Sequence, residues 1–186
     1  MKNAYLGLGS DQGDRAAWLL QGLRELAAAG IRISTVSSIY LTEPVGDPDL
    51  PWFLNCVAEV TDPPAPERLL ELCLQVERRC GRCRQAPEQA ARGGCESRHF
   101  YHGLLEARSL DLDVLLYDQL VVDGPSLAIP HPRMHERRFV LEPLVEIAPS
   151  ALHPLLARSV GELLAQLHRD ERVWLLAPPP SEFAGR

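Results

Sequence analysis

The stretch Arg108-Ser109-Leu110-Asp111-Leu112-Asp113-Val114-Leu115-Leu116-Tyr117 decides how this chain folds. Its alternation reads as a β-strand with two carboxylates at i and i+2. Successive strand residues point to opposite faces, so Asp111 and Asp113 share one face. Leu110, Leu112, Val114 and Leu116 are then expected on the other. Two neighbouring carboxylates repel each other, and keeping both ionised on a half-buried sheet is costly. A divalent cation removes that repulsion, and Mg²⁺ commonly takes one or two carboxylates together with phosphate oxygens. The plainer alternative is a solvated acidic face, since such pairs also occur on exposed strands.

Working outward, Ala4 to Leu8 reads as a first strand, and Ser10 to Asp14 supply the turn and cap before a helix. Leu19, Leu23 and Leu26 recur on one side of that helix, which Gly30 ends. Gly7, Gly9 and Gly13 are spaced one residue too widely for a dinucleotide fingerprint and are expected to shape the strand-to-helix turn. A β-branched run from Ile31 to Tyr40 predicts a second strand, and Leu41 to Pro51 a stiff, proline-rich loop. In a third strand, Phe53 to Thr61, Leu54, Cys56, Ala58 and Val60 alternate against Phe53, Asn55, Val57 and Glu59. Pro66 suits the first position of a second helix, with Leu69, Leu72, Cys73 and Val76 as its stripe. With the acidic strand, the order is βαββαβ, an α/β (α+β) class with a ferredoxin-like core.

Beyond that core, residues 120–122 and 127–129 predict short strands, and Phe139 to Ile147 a helix interrupted at Pro143. Ser159-Val160-Gly161-Glu162 is a capping box opening a last helix to about Leu167, and Val173 to Leu176 suit an edge strand. Residues 1–177 read as a single domain with a long insert at 81–107, followed by a Pro-rich tail, 178–186, expected to be disordered.

Composition narrows the function. A chain of 186 residues that is 46% hydrophobic fits one core and one domain. No apolar run is long enough to span a membrane, and the N-terminus lacks a secretion-signal pattern, so the cytoplasm is expected. The net charge of −6 argues against a nucleic-acid partner, and no RNP-like aromatic pattern supports an RNA-binding module. Five cysteines without a signal do not suggest a disulfide framework. Lys2 is the only lysine, so a P-loop is excluded and any nucleotide phosphates must be held by arginine.

Four stretches, read together, carry a resemblance: Ala4 to Ser10; Thr42-Glu43-Pro44-Val45-Gly46 with Pro51 to Asn55; Arg108-Ser109-Leu110-Asp111-Leu112-Asp113; and Ile129-Pro130-His131-Pro132-Arg133 leading to Arg137. In this order they resemble the 6-hydroxymethyl-7,8-dihydropterin pyrophosphokinases of folate biosynthesis, from about Tyr5 to Pro149. The resemblance implies transfer of pyrophosphate from ATP to 6-hydroxymethyl-7,8-dihydropterin, with two Mg²⁺ on Asp111 and Asp113; a monomer is expected. It implies phosphate-clamping, catalytic roles for Arg82, Arg84 and Arg108, and ATP contacts from Glu77, Val114, His131 and Arg137. It further implies a pterin site of Thr42, Pro44, Val45, Gly46, Phe53, Asn55 and Phe139. Guanidinium forks suit phosphate oxygens, and aromatic faces with an amide suit a flat polar heterocycle.

The chain departs from the family's R-W-G-P-R loop, having Leu104-Leu105-Glu106-Ala107-Arg108 instead. That departure supports a rival reading, a weakly active or non-catalytic descendant that binds pterin or metal as a sensor. Cys80 just before the insert and Cys83, Cys95, His99 and His102 within it are spaced like a structural zinc site. A metal clip would order a long insert with few apolar residues. Alternatively the thiols stay reduced and Cys80 merely extends the helix stripe.

Overall fold

The computed structural model describes residues 2–44, 51–81, 109–168 and 171–183. Strand β1 (Asn3–Ser10) leads into helix α1 (Arg15–Ala28), whose first turn is capped by the Asp14 carboxylate accepting from the Ala17 amide at 3.0 Å. Leu19, Leu23 and Leu26 are fully buried, as their spacing predicts. Gly22 sits between them because a Cβ there would lie 2.6 Å from Leu110 Cδ2; its absence lets α1 press on the residue that introduces the acidic strand.

The second strand is divided into β2 (Ile33–Val36) and β3 (Ile39–Thr42). Both pair with β4 (Phe53–Thr61). At the break, Ser37 donates its amide to the Val57 carbonyl and its hydroxyl oxygen accepts from the Val57 amide, each at 2.9 Å. The interruption therefore leaves no lost ladder bond at Val57. Helix α2 (Pro66–Arg79) opens on Pro66 as expected and buries Leu69, Leu72, Cys73 and Val76.

Strand β5 (Asp111–Tyr117) pairs antiparallel with β1. A short pair follows, β6 (Val122–Asp123) with β7 (Ala128–Ile129), then α3 (Arg138–Ile147), and after it a second pair, β8 (Leu152–His153) with β9 (Arg158–Ser159). Helix α3 continues through Pro143 rather than breaking there. Helix α4 (Val160–Gln166) carries the complete Ser159–Glu162 capping box, and β10 (Val173–Ala177) is the edge strand read from sequence.

The six-stranded sheet runs β10-β3-β4-β1-β5, with β2 also on β4, and every neighbouring pair is antiparallel. One face packs on α1 and α2 through Leu6, Leu8, Leu54, Cys56, Ala58, Val60, Leu112 and Val114. The opposite face meets α3 and α4 through Val57, Leu141, Leu144, Val160 and Leu163.

Two expectations need correction. Leu116 was expected beside Leu112 and Val114, but a bulge places Leu115 opposite no β1 residue, and Leu115 and Leu116 both join the α3 side. An extra residue on one strand reverses the alternation beyond it. Secondly, residues 178–183 are not a loose tail: they turn back towards α1, where Phe183 packs on the core and Glu182 accepts from Arg24 Nε at 3.2 Å. Among the described residues, no helix is long and apolar enough to cross a membrane.

Candidate active site

Strands β4, β1 and β5 align two rows across the α3 face of the sheet. Asn55, Gly9 and Asp111 are register neighbours, as are Val57, Gly7 and Asp113. At these two positions the middle strand contributes only hydrogen atoms to this face, which leaves the floor there without β1 side chains. Above it lies a cavity of about 270 Å³, lined by Gly7, Gly9, Asn55, Asp111 and Asp113 from the sheet, and by Phe139 and Val140 from α3. Gly9 has a further reason to lack a side chain, since a Cβ would sit 2.8 Å from Asn55 Oδ1. The spacing of these glycines in the sequence suggests a turn; in the structure only Gly13, at φ 55°, has that role. Their signal was the i, i+2 spacing on a strand, but it gains meaning only from register.

Several expected site residues converge here. Thr42, Pro44, Phe53, Asn55, Asp111, Asp113, Arg137 and Phe139 all line the cavity. Asn55 donates from Nδ2 to Thr42 Oγ1 at 2.6 Å, which fixes the orientation of its amide beside the Gly9 floor. Phe53 comes from the start of β4 and Phe139 from the first turn of α3, so sheet and helix each supply an aromatic wall. The Arg137 guanidinium lies 5.5 Å from the Phe139 ring centroid, a cation–π distance that aligns the two. Glu146 anchors α3 to β3: its carboxylate accepts from the Ser38 amide, the Ser38 hydroxyl at 2.8 Å and the Tyr40 hydroxyl at 2.9 Å.

His131 does not line the cavity but flanks it, held by its amide donating to the Leu115 carbonyl at 2.9 Å. Its Nδ1 accepts from the Arg133 amide at 3.2 Å, which leaves Nε2 to carry the proton of the neutral ring. Burial, helped by the Arg137 charge, depresses its pKa below the usual imidazole value, while Asp113 and Asp111 oppose that effect. Arg133, Glu43 and Leu115 also line the cavity and were not singled out from sequence, although Arg133 lies within a motif.

Other expected residues are placed differently. The Val114 side chain is 5% exposed in the core against the helices, so only its main chain is left for a ligand. Glu77 is 1% exposed, and its Oε1 accepts from the Leu112 amide at 2.9 Å. That amide belongs to the outermost strand on this side of the sheet, so Glu77 serves as a brace behind the acidic pair. Cys80 is 1% exposed and packs with the α2 stripe, and burial pushes its thiol up to about 11. Val45, Gly46, Arg82, Arg84, Arg108, Cys83, Cys95, His99 and His102 lie outside the described residues.

Among the described residues, no three His, Cys, Asp or Glu side chains gather to hold a metal by themselves. Two carboxylates over an open floor do fit Mg²⁺, a hard cation that completes its shell with water and substrate phosphates. Two carboxylates, an amide and two aromatic rings around one cavity define a class of enzyme. It is suited to joining a charged phosphate donor to a flat, polar ring.

Comparison with known proteins makes the class specific. The family model for 7,8-dihydro-6-hydroxymethylpterin-pyrophosphokinase matches residues 5–149. A 2-amino-4-hydroxy-6-hydroxymethyldihydropteridine pyrophosphokinase of Methylorubrum extorquens is 40% identical over 168 residues, covering 90% of this chain and 94% of that protein. The Bacillus subtilis protein of the same name is 41% identical over 145 residues, 77% of each chain. A crystal structure of Plasmodium falciparum HPPK-DHPS with pteroate superposes with a TM-score of 0.63 at 13% identity, a likeness of fold. The match covers 89% of this chain and 44% of that one, so this chain spans less than half of that longer protein. This chain belongs to the 7,8-dihydro-6-hydroxymethylpterin-pyrophosphokinase family.

Proposed function

We infer that this protein is an ATP-dependent pyrophosphokinase of folate biosynthesis. It transfers the terminal pyrophosphoryl group of ATP to the hydroxymethyl oxygen of 6-hydroxymethyl-7,8-dihydropterin, giving AMP and the pterin diphosphate. The observation that carries this reading is the glycine-floored cavity, with Asp111 and Asp113 beside Asn55, Phe53 and Phe139, inside the stretch matched to the family.

The fold and residue assignments follow as proposals. The strand order β3-β4-β1-β5, with α1 and α2 on one face, supports a ferredoxin-like core. Phe53 and Phe139 hold the pterin ring between them, Asn55 and Thr42 read its polar edge, and Pro44, Val45 and Gly46 close the same end. Asp111 and Asp113 hold two Mg²⁺, which supply charge neutralisation on the triphosphate when bound. Arg137 and His131 bind the nucleotide phosphates, with Val114 contributing main-chain contacts and Arg82, Arg84 and Arg108 completing the clamp. Together these residues align the alcohol with the β-phosphorus, and positioning of this kind dominates phosphoryl transfer. Glu77 acts on the nucleotide from behind, by holding β5. We propose a cytoplasmic monomer, the location being in keeping with soluble substrates.

Incubation with ATP, Mg²⁺ and the hydroxymethyl-dihydropterin should yield AMP as the nucleotide product. ADP would contradict the mechanism, and tight pterin binding without turnover would return the sensor reading. For the insert, we propose one structural zinc whose ligands are drawn from Cys80, Cys83, Cys95, His99 and His102. Protein purified without chelator should then contain about one zinc per chain, lost in Cys83→Ser; a metal-free preparation would end that proposal.

A further inference from the structure

The family match ends at residue 149, yet the segment just before and within β10 touches three walls of the cavity. Arg172 joins the first wall: its Nε and Nη2 donate to the two Glu43 carboxylate oxygens at 3.0 and 2.6 Å. The Glu43 amide donates in turn to the Arg172 carbonyl at 3.0 Å. Glu43 and Pro44 line the cavity. Arg172 also serves the second wall, its guanidinium lying 5.2 Å from the Trp52 ring centroid. Trp174 stacks on the same ring, with centroids 5.0 Å apart and planes 21° from parallel. Trp52 immediately precedes Phe53, and its carbonyl accepts from Arg15 Nη1. Glu171 reaches the third wall, accepting the Arg138 amide at 2.9 Å at the start of α3, between Arg137 and Phe139.

We propose that Glu171, Arg172 and Trp174 form a strap that positions the pterin end of the cavity, with Arg172 as its central positioning residue. This rests on the pterin reading given above. A lone exposed ion pair would contribute little. Here one guanidinium makes a two-point carboxylate contact and an aromatic contact, while its own carbonyl accepts from the same partner. A fork with fixed geometry transmits position in a way that a flexible ammonium does not. The strap therefore sets the separation of Pro44, Phe53 and Phe139, the dimension that a flat ring between aromatic faces senses most sharply. Asp111 and Asp113 lie on β5, at the other side of the sheet from β10, and are expected to be indifferent to it.

The test is Arg172→Ala beside Arg172→Lys. Arg172→Ala should raise KM for the hydroxymethyl-dihydropterin about tenfold, with kcat and KM for ATP within about twofold of wild type. Arg172→Lys should recover only part of that loss. Adding Glu43→Gln to Arg172→Ala should make nothing worse, since both act through one contact. Equal losses in kcat and both KM values would indicate general loosening and overturn the proposal, as would an unchanged pterin KM. If the wild-type protein neither turns over nor binds the reduced pterin, the functional reading fails, and the strap is judged separately. Near-ultraviolet circular dichroism of the ligand-free protein reports the stacked Trp52–Trp174 pair. Loss of that signal in Arg172→Ala supports the strap, and its retention refutes it.

Discussion

Asp113→Asn and Asp111→Asn should each lower turnover about a thousandfold while leaving the protein folded. The size follows from the charge removed. A metal-held phosphate contributes several kcal/mol of transition-state stabilisation, and about 4 kcal/mol corresponds to about three powers of ten in rate. An amide keeps the shape of the side chain but not the full negative charge that holds a hard cation. Both carboxylates lie half-buried at the cavity, opposite Gly9 and Gly7, and neither belongs to either apolar cluster. The change in stability should therefore stay below about 1 kcal/mol. Binding of the pterin alone should persist, because in the proposed arrangement Phe53, Asn55 and Phe139 make that contact. Steady-state rates with a denaturation curve for each variant decide the matter. Near-wild-type turnover in either would remove the carboxylates from the mechanism, and loss of folding would make them structural.

The acidic strand was legible because its evidence is local. Alternation places Asp111 and Asp113 on one face whatever lies beside them, and the same holds for the stripes of α1 and α2 and the Ser159 cap. What escaped depends on partners distant in sequence. Gly7 and Gly9 look like turn residues until register sets them between Asn55 and Val57 on one side and Asp111 and Asp113 on the other. The bulge that turns Leu116 towards α3 is a property of the β1–β5 pair, invisible in either strand alone. Ser37 and Ser38 read as ordinary strand residues, yet they divide β2 from β3 because Ser37 can bond Val57 and Glu146 can take up Ser38. The strap at Glu171 to Trp174 is the extreme case. Nothing in those residues signals a site, and their role comes from Glu43, Trp52 and Arg138 meeting them across the fold.

Glu77→Ala should destabilise the protein by about 3 kcal/mol, whereas Glu77→Gln should cost about 1 kcal/mol. Glu77 is 1% exposed, and its Oε1 accepts the Leu112 amide at 2.9 Å. Hydrogen bonds to charged groups are worth about 1.5–3 kcal/mol, and a buried amide left without its acceptor adds a desolvation cost. Glutamine keeps an oxygen in the same place, so the amide stays satisfied and mainly the charge is lost. Denaturant midpoints for the two variants, at equal m-values, measure the difference directly. If both cost the same, the charge rather than the hydrogen bond matters, and Glu77 is no brace. Activity separates the brace from a direct nucleotide contact. Leu112 lies between Asp111 and Asp113, so releasing its amide loosens both carboxylates at once. Glu77→Ala should lower kcat even at temperatures where it is fully folded, while Glu77→Gln should retain most of it. A raised KM for ATP in Glu77→Gln, with stability and kcat near wild type, would instead mean that the carboxylate touches the nucleotide itself.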